Sequence, residues 1–242
     1  VIIPSFIKKI GRFSFSNCQF ISKIEFSQNS ELIEICEFAF EASSIEEIEI
    51  PSEVVCIKDS AFADCTNLVK IEFGENSQLN TIEQFAFAQT PIEELKFPSK
   101  LRTLKKGWCL GTEYLCNIII SPENNFFKFI NDKVICGKSN QEDEVFDLLI
   151  FARRDIEKAT IPSFIKIIKP FAFHSCERLN EIEILEDSNL ISIDEFGFSN
   201  TKIESIKIPP NLICICEAAF SYCSYLKHIN IPINSDLRII ES

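Results

Sequence analysis

Apolar residues along the chain fall into two alternating patterns that follow one another repeatedly. The first has a period of two and gives the triplets Ile24-Glu-Phe26, Ile48-Glu-Ile50, Ile71-Glu-Phe73, Leu95-Lys-Phe97, Ile118-Ile-Ile120, Ile182-Glu-Ile184, Ile206-Lys-Ile208 and Ile229-Asn-Ile231. Such alternation predicts a short strand with one buried face. The second is an aromatic marker two positions after a small or aromatic residue: Phe15, Phe40, Phe62, Phe87, then Cys109 in the same slot, then Phe173, Phe198 and Phe220. The gaps between markers are 25, 22, 25, 22, 64, 25 and 22, so two unit types alternate and each pair adds up to 47 residues.

Units of this length with a strand in each cannot bury an apolar face alone, and stacking them as successive coils supplies the missing cover. The length and the L-x-x-I-x-I strand fall in the leucine-rich range. The phrase Ile57-Lys-Asp-Ser-Ala-Phe-Ala-Asp-Cys-Thr-Asn-Leu-Val-Lys-Ile-Glu-Phe73 resembles the BspA-like class of leucine-rich repeat along nearly its whole length. The resemblance runs through the chain. It implies a leucine-rich-repeat solenoid: stacked coils, one parallel β-sheet, and short strands or helical turns on the opposite side. It also implies a surface protein of the kind found in bacteria and anaerobic protists, and it transfers no catalytic residue.

Each part of the unit has a physical reason. Pro51, Pro98, Pro209 and Pro232 follow a strand triplet directly, where a residue without an N–H ends the ladder without wasting a donor. The Ala-Phe step places a ring in the core beside a small residue that lets the chain turn tightly, and stacked rings predict an aromatic spine. Asn29-Ser30, Asn76-Ser77 and Asp187-Ser188 occupy equivalent places in the 25-residue unit and read as turns. We read residues 1–242 as one solenoid domain excerpted from a longer array. It has regular repeats over 1–120, an irregular coil with an insertion over 121–160, and regular repeats over 161–242. Within the irregular coil, Lys133-Val-Ile-Cys136 and Asp147-Leu-Leu-Ile-Phe151 predict a strand pair joined by an exposed loop. Trp108, just before the break, is read as a plug for a wider coil.

Composition narrows the function. With 36 acidic and 24 basic residues, the formal charge is −12, which disfavours nucleic acid and anionic lipid as partners. No apolar run reaches the ~18 residues of a membrane helix, so no direct membrane insertion by this segment is expected. The eleven cysteines look like chemistry until they are placed on the repeat. Cys18, Cys65, Cys176 and Cys223 sit three residues after the marker in every other unit, about 10 Å apart at ~4.8 Å per coil, beyond the ~7 Å limit for a disulfide. They are expected to be free and buried. Cys36 and Cys56 lie on a diagonal near 8 Å on the same geometry and are expected to remain unbonded. Neither His174 with Cys176 nor Cys214 with Cys216 recurs at zinc-site spacing, and these thiols read as small buried residues. No phosphate loop, nucleophile elbow or H-E-x-x-H is present. We therefore expect no enzyme, no cofactor and no metal.

What remains is the outward face of the sheet. The candidate protein-binding residues are Glu25, Glu47, Glu49, Glu72, Glu94, Lys96, Ile119, Glu181, Glu183, Lys207, His228 and Asn230. Neighbouring strands are expected to set Lys23 beside Glu47 and Lys70 beside Glu94. Two readings of this face stay open: charges that merely keep a long sheet soluble, or an acidic surface for a basic or polar protein partner. The resemblance implies adhesion to host or neighbouring-cell proteins from the cell surface or after secretion. The alternative is an intracellular scaffold, which free cysteines would suit.

Overall fold

A computed structural model describes residues 1–241. The backbone divides into two compact units, Val1–Asn125 and Phe126–Ser242. Each is a stack of coils, and no helix occurs among the described residues.

In the first unit the triplets form strands whose inward residues Ile24, Ile48, Ile71, Leu95 and Ile118 are at most 5% exposed. Ladder bonds join these strands in twos: Ile2–Ile3 with Glu25–Phe26, Glu47–Ile50 with Lys70–Phe73, and Glu94–Phe97 with Asn117–Ile120. The expected single sheet is thus a row of two-stranded sheets, bridged once at Lys23 and Glu47. On the opposite side the ladder is continuous. Lys9–Ile10, Glu34–Ile35, Cys56–Ile57, Thr81–Ile82 and Thr103–Leu104 form one five-stranded parallel sheet.

Between the two columns runs the spine. Phe15, Phe40, Phe62 and Phe87 stack at centroid distances of 5.2, 5.1 and 5.7 Å, within the favourable range for aromatic pairs. The tight turns come not from the alanine beside each ring but from the residues two before and two after the marker. Phe13 and Asn17, Phe38 and Ala42, Ser60 and Asp64, and Phe85 and Gln89 all have positive φ. Gly107 and Gly111 take the same two places around Cys109, where that conformation carries no Cβ penalty. A phenylalanine held there costs on the order of 1–2 kcal/mol. Phe13 and Phe38 offset this by stacking at 5.0 Å across neighbouring coils. Trp108 is buried, edge-on to Phe97 at 5.8 Å, as expected of a plug.

The second unit opens with an antiparallel meander of Phe127–Ile130, Val134–Gly137 and Leu148–Ala152. The strand pair expected from sequence is the second and third of these. The first was not foreseen, nor the hairpin tip where Asn131 and Asp132 both have positive φ. Leu148–Ala152 then pairs in parallel with Ile167–Ile168, which starts the regular column Ser192–Ile193, Cys214–Ile215 and Ile239–Ile240. Its spine is Phe173, Phe198 and Phe220, at 4.8 and 5.6 Å. Phe171 and Phe196 stack outside it at 5.0 Å, and Phe196 is half-buried rather than a core residue. The loop before Leu148 is pinned by Asp147, whose carboxylate accepts the Ser139 amide at 2.9 Å and hydroxyl at 2.8 Å and pairs with Lys166 at 3.1 Å.

No two of the eleven cysteines are joined in a disulfide. Those three residues after the marker share their column with hydroxyls in the intervening coils, namely Ser43, Thr90, Thr112 and Thr201. Ser43 and Thr201 meet the Cys65 and Cys223 thiols at 3.4 and 3.3 Å, and several members of the column donate to a carbonyl at the turn. Thr90 and Thr112 donate to Phe87 and Cys109 in their own coil at 2.8 and 2.7 Å. The longer reach of a thiol takes Cys65 and Cys223 to Phe40 and Phe198 of the preceding coil at 2.9 and 3.1 Å. Cys65 and Cys176 are buried, but Cys18 and Cys223 are only half-buried. Burial pushes the Cys65 thiol up to about 11 and that of Cys136 to about 12.

Burial, aided by the Arg154 guanidinium, pulls His174 down to about 4. The unfolded chain takes up this proton near pH 6.5 while the folded one resists until near 4. Stability of the second unit should therefore fall as pH drops from 6.5 towards 4. Because the ring is partly exposed, solvent screening reduces the effect to about 1–2 kcal/mol. Urea unfolding between pH 7 and 5 should show this slope, and His174→Asn should flatten it.

Candidate functional site

On each triplet strand the inward residues anchor the backbone and the middle and preceding residues point out, so each unit presents two parallel rows of side chains. In the first unit the outward rows hold Lys23, Glu47, Lys70, Glu94 and Asn117 beside Glu25, Glu49, Glu72, Lys96 and Ile119. Glu72 is half-exposed and the rest are exposed. Lys23 bridges Glu25 at 3.2 Å and Glu47 at 3.5 Å, as the register leads one to expect. The hydrogen bond to Glu25, ahead of Glu47, raises the Lys23 ammonium above its ordinary range. Lys70 does not meet Glu94, because the two belong to separate two-stranded sheets. Lys70 turns instead to Glu72 at 3.2 Å, and Glu94 accepts from Asn117 at 2.6 Å.

Beyond the strands lies a groove of about 1270 Å³, lined by seven glutamates against three lysines. It brings together Glu25, Glu47, Glu49 and Glu72 from the expected face. To these the turns add Glu31, Glu53 and Glu75, which sequence reasoning missed. The signal was present: each of these glutamates lies two to five residues after a triplet. Their carboxylates add to the acidic lining of the groove. Glu94, Lys96 and Ile119 lie on the next pair of strands and do not line it.

The second unit carries a face of its own. Glu181, Glu183, Lys207, His228 and Asn230 are all exposed. Lys207 pairs with Glu186 at 2.7 Å, and that contact holds the Glu186 carboxyl below its usual range. Glu204, next to Ser205, also points outward and pairs with Lys227 at 3.0 Å. The strand Lys158–Ile161, which pairs with Glu181–Ile184, adds Lys158 and Thr160 to the rows. Lys158 meets Glu181, and Thr160 donates to Glu183 at 3.0 Å. The phrase Ala159-Thr-Ile161-Pro162 is the usual triplet and stop, hidden by the irregular segment before it.

Among the described residues, no group of three or more histidine, cysteine or acidic side chains is placed to hold a metal ion, and no helix is long and apolar enough to cross a membrane.

Parallel strands on one side, short strands on the other and a ring spine between define a leucine-rich-repeat solenoid, a class that generally binds proteins through a repeated surface. The chain belongs to the BspA-type leucine-rich repeat family, whose repeat region matches in 6 copies over residues 1–115 and 148–242. Its fold is similar to that of the pneumococcal vaccine antigen PcpA, with 25% identity and a TM-score of 0.80 over 99% of this chain and 64% of that one. The chain therefore spans less than two thirds of the antigen structure. A leucine-rich cell surface protein from Faecalibacterium prausnitzii A2-165 has a similar fold at 20% identity and a TM-score of 0.67, over 100% of this chain and 78% of that one. A leucine-rich repeat protein from Eubacterium ventriosum ATCC 27560 is similar at 20% identity and a TM-score of 0.73, over 90% and 61%. No curated protein matches the sequence.

Proposed function

We propose that the chain is a non-enzymatic protein-binding module of a surface or secreted protein, which adheres to a host or neighbouring-cell protein through its acidic display face. The observation that carries this reading is the groove of the first unit, where seven glutamates outnumber three lysines. A basic segment of a partner would be drawn there by charge and held by the rigid strands beneath. Family membership and the similarity to an antigen of pneumococcus support a place at the cell surface. That no two of the eleven cysteines are joined favours the second reading, an intracellular scaffold using the same face. Accessibility of the protein to protease on intact cells separates the two.

Binding of a lysine homopolymer, followed by calorimetry, tests the face. The triple variant Glu25→Lys, Glu49→Lys, Glu72→Lys should weaken that binding by at least about tenfold at low salt, and the wild-type affinity should fall as salt is added. The circular dichroism spectrum should be unchanged, because all three side chains point away from the core. Unaltered affinity in the folded variant would remove the acidic-face reading.

A further inference from the structure

The five short strands opposite the display side of the first unit repeat one arrangement coil by coil. A buried residue precedes each strand by two positions: Leu32, Val54, Leu79 and Leu101 in the last four coils, every one 0% exposed. The residues on either side of it turn outward, as alternation requires, and two more outward positions follow the strand. In the coil of Thr103–Leu104 these four places are Lys100, Arg102, Lys105 and Lys106, all exposed. In the three coils before it, the charged residues at the same places are Glu31 and Glu37, then Glu53, Lys58 and Asp59, then Glu83, so each of those coils is net acidic there.

Other lysines on this sheet have acidic partners within the fold. Lys9 and Lys58 pair with Glu34 at 2.7 and 3.3 Å. Lys100 instead donates to the Gln78 amide oxygen, and among the described residues Arg102 and Lys105 meet no carboxylate within ion-pair distance. The backbone beneath them is fixed, because the Arg102 and Lys105 amides donate to Asn80 and Ile82 of the preceding coil, both at 3.0 Å. Four cationic side chains thus form a ribbon one coil wide, and none of them lines the acidic groove.

Lysine- and arginine-rich runs of this length suit polyanions, and the shape of the ribbon selects among them. The net charge of −12 repels any broad anionic surface. A nucleic acid duplex or a membrane laid on the ribbon would also cover the acidic coil beside it, whereas a single thread can follow one coil alone. The thread must be densely charged, since four cations lie between Lys100 and Lys106, while carboxylates on one edge of an extended acidic peptide recur only every ~6.6 Å. Sulfate offers several oxygens, which a guanidinium such as that of Arg102 can grip two at a time, as it does phosphate. From this arrangement we propose that the ribbon from Lys100 to Lys106 binds a linear sulfated polysaccharide, on a second surface that is independent of the acidic face.

Calorimetry of the whole chain with heparin tests this, with desulfated heparin and a glutamate homopolymer as controls. Heparin should bind at about 50 mM salt and lose at least about tenfold in affinity by about 200 mM, as the release of counterions requires. Desulfated heparin, which keeps its carboxylates, and the glutamate homopolymer should each bind at least about tenfold more weakly than heparin. The triple variant Lys100→Gln, Arg102→Gln, Lys105→Gln should lose at least about tenfold in heparin affinity with an unchanged circular dichroism spectrum. The proposal is overturned if heparin does not bind, if either control binds as tightly, or if the folded variant keeps its affinity. Heparin and its controls are compared on the wild-type chain, so that result decides the matter even if the variant does not fold.

Discussion

Phe62→Ala should lower the unfolding free energy of the first unit by about 3–5 kcal/mol, measured by urea denaturation. The side chain is 0% exposed and lies between Phe40 at 5.1 Å and Phe87 at 5.7 Å. Truncation removes a buried ring and two stacking contacts and leaves a void that the stiff coils above and below cannot close. The backbone bonds from Phe62 to Ala86 and from Phe40 to Ala61 hold the neighbouring turns at fixed spacing, which limits collapse into the void. In a stack whose coils touch only their neighbours, weakening one interface also loosens the coupling of the coils on either side. Phe13→Ala provides the contrast: that ring is 51% exposed, and its loss should cost about 1 kcal/mol or less. Equal losses at the two positions would mean the spine is not the core.

Asp147→Ala should cost the second unit about 2–3 kcal/mol, again by urea denaturation. The carboxylate is almost fully buried, whereas Lys166 across the ion pair is half-exposed and can return to water once its partner is gone. The loss is therefore mainly that of the two charge-assisted hydrogen bonds from Ser139, an exposed residue whose amide and hydroxyl then turn to water. Asp147→Asn keeps an acceptor in place and should lose less. Burial by itself would raise this carboxyl, but the bonds from Ser139 and the contact with Lys166 outweigh it and hold the pKa below its usual value. Its contribution is present above the unfolded value near 3.9 and fades as pH falls below that. In Asp147→Ala the loop at 138–146 should also become the first site of limited proteolysis, since its main anchor is gone.

Much of this architecture could be read from side-chain spacing, because the triplets and ring markers depend only on neighbours in sequence. Ile48 and Ile50 face inward and Glu49 outward for the same reason in any strand. What escaped depends on relations between coils. Whether Lys70 meets Glu94 or Glu72 turns on which strands share ladder bonds, and a triplet looks the same in either case. The turn glutamates Glu31, Glu53 and Glu75 vary in distance from their strands, so no fixed period marks them as one row. The local sequence does not mark Phe38 and Phe85 for positive φ, a conformation that phenylalanine avoids in isolation and that Phe38 adopts while stacked on Phe13. Cys214 and Cys216, expected to be small buried thiols, are half-buried, because alternation around Ile215 sends both outward.

The ladder on the display side joins Glu47–Ile50 to Lys70–Phe73 and Glu94–Phe97 to Asn117–Ile120 but leaves the middle two in separate sheets, while the opposite side is bonded coil to coil. Mechanically this is a bellows, with pleats on one side and a continuous backing on the other. Flexing that parts Lys70–Phe73 from Glu94–Phe97 breaks no rung of either ladder, so resistance at that pleat comes from the packing of buried side chains such as Ile71 and Leu95 and from the turn bonds behind them. On this side the unit of bonding is then the 47-residue pair, whereas on the other it is the single coil.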